Sequence, residues 1–156
     1  MLLSVTKSIG TIFIPDLQMT VETITRKFSI NQKKVWNAEV LHDNKNGTCL
    51  NITGNQLNIT AKTLPASSHP NRTVVVVAED VENCSWFSVY GSYNGCNYSH
   101  CHMKSQENIA GQIWCRYLCD RVERIFINGV KFGQHAHSSM VTLCEVAVIN
   151  ENYIIM

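Results

Sequence analysis

Seven cysteines, at positions 49, 84, 96, 101, 115, 119 and 144, are the residues of this chain best suited to covalent chemistry. An odd number leaves at least one thiol free or paired with another chain. The six that can pair allow many connectivities, so spacing alone assigns none of them. Six Asn-x-Ser/Thr triplets open at Asn46, Asn51, Asn58, Asn71, Asn83 and Asn97. Each is an acceptor sequence for an N-linked glycan, and chance would supply roughly two in such a chain. A secreted protein uses cysteines as crosslinks and these triplets as glycan attachment points. The chain is therefore expected to be extracellular, disulfide-bonded and glycosylated. Asn51 and Asn71 are the most favourable acceptors, and Asn83 the least, because Cys84 is its middle residue.

Other chemistries have weaker signals. His100-Cys101-His102 and His135-Ala136-His137 set ligand types two residues apart, on one face if each lies in a strand, as a zinc site could use. A thiol in an oxidising compartment is normally consumed as a disulfide, which argues against that site. Ser, His and Asp are present without a Gly-x-Ser-x-Gly elbow, and no Cys-His signature stands out. No carboxylate pair is marked among the 12 acidic residues, and the eight glycines form no phosphate-binding loop. The chain is expected not to be an enzyme.

The framework that must carry these residues reads as one all-β domain. The chain has 156 residues, 45% hydrophobic, which suits a single core. No stretch sustains an apolar period of 3.6. Strand patterns fall instead at 50–52, 57–59, 86–90, 112–118, 122–127 and 141–149, and a β-branched run at 73–78 suits a strand buried on both faces. Turn residues at 44–47, 65–70 and 94–95 separate them. Asn128-Gly129 suits a two-residue hairpin between 122–127 and 130–132. Residues 1–20 read as a lead-in segment or linker and 21–156 as the domain. Lys7 and Gly10 interrupt the apolar start, which fits a signal peptide poorly and points to one module of a longer extracellular protein.

Charge excludes whole classes of partner. Thirteen basic and 12 acidic residues give a net charge of +1 and a pI near 7.6. A nucleic-acid-binding domain typically has a pI above about 9. The longest apolar run, 74–78, falls far short of the ~18 residues of a membrane-spanning helix. Neither a nucleic-acid partner nor a membrane span is expected.

Three segments carry a family resemblance. Leu143-Cys144-Glu145-Val146-Ala147-Val148 resembles the closing strand of the fucolectin and discoidin-like domains. The loop from Ala38 through Asp43 to Thr48-Cys49 is similar to that family's Asp loop, and 122–127 to its penultimate strand. The resemblance spans residues 20–150 and is nearest to divergent invertebrate-type extracellular modules. It implies a jelly-roll β-sandwich of the galactose-binding-like type, with Cys49 bridged to Cys144. Cys101–Cys115 is the second bridge expected. It also implies a structural calcium held by Asp43 and Glu145 with carbonyls of Lys45, Thr48 and Cys144 and the Thr48 hydroxyl, a set of hard oxygen ligands. Val40, Asn44 and Lys45 depart from the family's loop, and Lys45 adds a positive charge there.

The family's fucose motif, which includes Arg-x-Asp, is absent, so strict fucose recognition is not expected. Candidate ligand contacts are Trp86, Tyr90, Tyr93, Tyr98, His100, His102, Arg116 and Arg121. Aromatic faces stack on apolar sugar faces, and Arg and His meet hydroxyls; the competing role of the aromatics is core packing. Two functions follow. One is an extracellular adhesion or structural module with a protein partner, which the odd cysteine favours through a disulfide-linked or homo-oligomeric assembly. The other is a lectin module with a glycan ligand.

Overall fold

Alternation of apolar and polar side chains sorts the strands into an inner and an outer face. In Gln56–Lys62, for example, Leu57, Ile59 and Ala61 are buried while Gln56, Thr60 and Lys62 face solvent. The computed structural model describes residues 18–27, 29–42, 48–54, 56–62, 71–120, 122–129 and 140–150. Its strands are β1 (Gln18–Lys27), β2 (Ile30–Trp36), β3 (Leu50–Thr53), β4 (Gln56–Lys62), β5 (Asn71–Glu79) and β6 (Phe87–Ser92), followed by β7 (Ser99–His100), β8 (His102–Ile109), β9 (Gln112–Asp120), β10 (Arg124–Gly129) and β11 (Met140–Asn150). Short 3-10 turns span Ala38–His42 and Cys84–Trp86.

Two antiparallel sheets stack face to face. One has six strands in the order β2-β1-β4-β10-β6-β7, the other five in the order β3-β11-β5-β9-β8. Between them lie Val21, Ile59, Val89 and Ile127 from the first and Val74, Val76, Cys115, Val146 and Val148 from the second. This is an all-β jelly-roll sandwich, as the strand pattern and the resemblance imply. Val74 to Ala78 are each fully buried, because the far face of β5 carries a second cluster of Val75, Val77, Trp114, Cys144, Ala147 and Ile149. The both-face burial expected of 73–78 is what the sheet displays.

Four strands escape a sequence pattern search, one of them the two-residue β7. β2 and β8 are edge strands whose residues are nearly all solvent-exposed, so no alternation marks them. β1 begins at Gln18, inside the segment expected to be a lead-in. Asn128-Gly129 needs a correction. Instead of turning, β10 runs through it, with Asn128 opposite both Asn58 and Ser88 and Gly129 opposite Leu57 and Phe87. Pairing on both sides outweighs the local turn preference. The turns at 44–47 and 65–70 and the strand at 130–132 lie outside the described residues.

Three disulfides staple the sandwich. Cys49 bonds Cys144, one step beyond the Leu50–Leu143 pair of β3 and β11, and joins residues 95 apart. The Cys101–Cys115 pairing is wrong: Cys101 bonds Cys119, and Cys115 bonds Cys84. Register is the reason. His102 lies opposite Leu118, so Cys101 falls opposite Cys119, with 4.7 Å between Cα atoms. Cys115 is four residues along the same strand, roughly 13 Å away, beyond the ~7 Å limit of a disulfide. Cys96 is the one unbonded cysteine and is exposed.

Candidate functional site

The outward face of the six-stranded sheet carries an aromatic groove. Strand register sets Thr20, Thr60, Phe126, Tyr90 and His100 in one row across five strands. The next row reads Gln18, Lys62, Arg124 and Ser92, and the row on the other side Glu22, Asn58, Asn128 and Ser88. Period-two alternation produces this face: Ile125 and Ile127 point into the core, so Arg124, Phe126 and Asn128 point out.

Tyr90, Tyr98, Phe126 and Asn128 line a hollow of about 580 Å³. The Tyr90 and Phe126 ring centroids are 6.1 Å apart, and the His100 ring meets Tyr90 edge-on at 4.9 Å. Both distances fall in the range where aromatic pairs attract, so the floor of the groove is pre-set. Asn128 donates through Nδ2 to Asn58 Oδ1 at 2.9 Å, and Gln56 Nε2 donates to the same oxygen at 3.2 Å. The amide of Asn128 is thereby oriented at the rim.

A second hollow of about 360 Å³ adjoins the first, lined among others by Gln18, Thr20, Lys62, Arg124 and Tyr98. Tyr98 borders both. The loop between β6 and β7 holds this corner in place. Ser92 Oγ accepts from the Gly95 amide at 2.7 Å, and Asn94 Oδ1 accepts from the amides of Cys96 at 2.9 Å and Asn97 at 3.2 Å. Gly95 has a φ of +82°, and a Cβ there would lie 2.9 Å from Arg124 Nε and 3.1 Å from Cζ. Only glycine suits that backbone and leaves room for the guanidinium. At the start of β10, Arg72, 2% exposed, donates to the Val122 carbonyl at 3.0 Å. Burial pulls its pKa down, and nearby Glu123 partly restores it.

The eight ligand contacts expected from sequence do not converge. Tyr90, Tyr98 and His100 meet on this face. Tyr93 is 64% exposed in the adjoining loop, and Trp86 packs against the core from the 3-10 turn, as its competing role required. His102 and Arg116 belong to the five-stranded sheet. Arg116 is ion-paired with Glu107 and sits over the Trp114 ring, 5.5 Å from its centroid. Arg121 lies outside the described residues. The chain changes sheets at Cys101, so His100 and His102 do not share a face. With Cys101 bridged, the zinc geometry is lost there, while His135 and His137 lie outside the described residues. The sequence patterns do not mark Phe126, Asn128, Lys62 and Arg124 as site residues; alternation along 56–62 and 124–129 is their only signal.

Of the expected calcium ligands, Asp43 and Lys45 lie outside the described residues. Thr48 is exposed, whereas Glu145 is 1% exposed on the strand that carries the bridged Cys144. Cys49, Glu79 and Cys144 gather their ligand atoms within 4.8 Å, but both sulfurs are spent in the disulfide and offer no thiolate. Among the glycan acceptors, Asn51 is exposed and accepts from Thr142 Oγ1 at 2.9 Å. Asn83 caps the 3-10 turn by accepting from the Ser85 amide at 2.8 Å, and Asn97 is exposed in the loop before β7. Asn58 lies on the groove face, Asn71 opens β5, and Asn46 is outside the described residues.

No family model matches the chain, and no curated protein matches it in sequence. Among solved structures it is similar to CpGH89CBM32-5 from Clostridium perfringens, in complex with GalNAc-beta-1,3-galactose. The TM-score is 0.54 and the identity 14%, over 88% of this chain and 99% of that one. It is also similar to the C-terminal domain of a chitobiase from Bacteroides fragilis, with a TM-score of 0.51 and 12% identity over 87% and 94% of the two chains. At these identities the likeness is one of architecture: the chain has the galactose-binding-like β-sandwich fold.

Proposed function

We propose that the chain is a non-catalytic, glycosylated extracellular module that binds carbohydrate in the groove of the six-stranded sheet. The observation that carries this reading is the set of three rings, Tyr90, Tyr98 and Phe126, around a hollow with the oriented amide of Asn128 at its rim. Rings offer apolar faces to the C–H faces of a sugar, and the amide supplies one donor and one acceptor for hydroxyls. The C. perfringens neighbour, solved with GalNAc-beta-1,3-galactose, supports a sugar as ligand. The three disulfides suit an oxidising compartment.

The test is a glycan array probed with the chain and with its Tyr90→Ala and Phe126→Ala variants, each checked for an unchanged melting profile. Binding that is present in the parent and lost in both variants supports the groove. Binding that survives both substitutions, or no binding at all, overturns it.

The adhesion reading is favoured by one observation, the exposed thiol of Cys96. A covalent dimer in non-reducing electrophoresis that Cys96→Ser abolishes would support it. A calcium site of the fucolectin and discoidin-like kind is part of the same proposal. Glu145 fits it, because a carboxylate buried this deeply keeps its charge only beside donors or a cation. Asp43 and the carbonyls of Lys45, Thr48 and Cys144 would complete the oxygen set. The ion's part would be to tie the loop to β11, a structural role.

A further inference from the structure

The groove's second hollow points to the class of sugar. Arg124 and Lys62 are direct cross-strand neighbours on the outward face. Like charges set opposite each other, with Cβ atoms about 4.5–5.5 Å apart, repel and lower sheet stability. Neither has a carboxylate partner among the described residues, where ion pairs join Lys33 to Glu22 and Arg116 to Glu107. The flanking residues of the row, Gln18 and Ser92, are neutral. Two cations thus border one hollow in which no described lining residue is acidic. The glycine at 95 and its pinned loop keep the Arg124 side chain there.

We propose that this corner receives an acidic group, a carboxylate or sulfate, carried by the glycan whose ring lies against Tyr90 and Phe126. The proposal rests on the groove reading above and adds the ligand's charge to it. Spacing fits one ligand across both hollows. Arg124 and Phe126 are two residues apart on β10, about 7 Å, the scale of one sugar ring and its exocyclic acid group. Tyr98 borders both hollows, so the two adjoin at its side chain. Arg presents a planar fork of donors to a carboxylate or sulfate, and Lys adds a mobile point charge. An extended polyanion is a poor fit, because the chain's net charge is only +1.

The experiment uses an array on which each sialylated or sulfated glycan stands beside its desialylated or desulfated parent, probed with the whole chain. Acidic glycans are expected to bind roughly tenfold or more tightly than their parents, since a charge-assisted bond at an exposed site is worth the lower end of its range. The preference should weaken as salt rises. Arg124→Gln and Lys62→Gln should each reduce it without lowering the melting temperature, since either relieves the repulsion across the pair. Whether sialylated or sulfated glycans respond identifies the acid. Equal binding of acidic glycans and their parents, or a preference indifferent to both substitutions, overturns this inference and leaves the groove standing. Binding of no glycan of either kind overturns both.

Discussion

Removing the disulfides one at a time tests how the sandwich is stabilised. Cys49–Cys144 joins residues 95 apart, Cys84–Cys115 residues 31 apart and Cys101–Cys119 residues 18 apart. If a crosslink acts by restricting the unfolded chain, the loop lengths translate to about 4.7, 3.7 and 3.2 kcal/mol at 25 °C. Local packing contributes similarly to the outer two, because Cys144 at 0%, Cys119 at 1% and Cys101 at 3% exposure are all buried and only Cys49 is partly open. The Cys49→Ala/Cys144→Ala double variant should therefore lose about 1.5 kcal/mol more than Cys101→Ala/Cys119→Ala. For a domain of this size that gap is roughly 3–6 °C in melting temperature. Denaturant unfolding of the two variants, with slopes compared to confirm one transition, measures it. Should the 101–119 variant prove the weaker protein, the loop-entropy reasoning fails and native packing around Cys101 dominates. Cys101 Sγ does pack against β6, 3.5 Å from where a Cβ on Gly91 would stand.

Gly91→Ala should destabilise the fold by about 1–3 kcal/mol, since its Cβ would fall 2.2 Å from Val122 Cγ1; chemical denaturation reads this, and a neutral outcome would mean that Val122 moves freely. Tyr117 donates its hydroxyl to the Cys84 carbonyl at 3.0 Å, and burial pushes its pKa up, above the usual phenol range. Its folded-state pKa is raised, so its contribution is complete below the unfolded value of about 10 and is lost as pH climbs beyond it. Alkaline unfolding monitored by tyrosinate absorbance should show that loss, and Tyr117→Phe should flatten it. Chelation should lower the melting temperature by an amount that tracks free calcium; an unmoved transition would remove the ion from the proposal. At least three of the six acceptor asparagines should carry glycans, as a mass shift on enzymatic deglycosylation, and a shift near zero would refute the extracellular assignment. A glycan on Asn58, whose side chain holds Asn128, would stand at the groove's edge, so Asn58→Gln should alter array binding more than Asn51→Gln.

Local grammar is legible in the amino-acid order alone. Alternation in 57–61 and 124–129 names the inward residues, because a strand has only two faces. The unbroken apolar run at 74–78 announces a strand covered on both sides. The resemblance of 143–148 and of the Asp loop supplied the Cys49–Cys144 bridge and the sandwich. Tertiary structure decided everything that depends on which strand lies beside which. Cys101 and Cys115 looked pairable until register set Cys101 against Cys119. His100 and His102 looked like one face until the chain crossed between sheets at the residue separating them. Asn128-Gly129 looked like a turn until neighbours on both sides claimed its backbone. The groove joins Lys62 from β4, Tyr90 from β6, Tyr98 from the loop before β7 and Arg124 with Phe126 from β10. No spacing in the sequence encodes that set. Strand pairing brings residues together over separations of dozens of positions, and its register is chosen by burial of the whole inner face rather than by the outward side chains it happens to align.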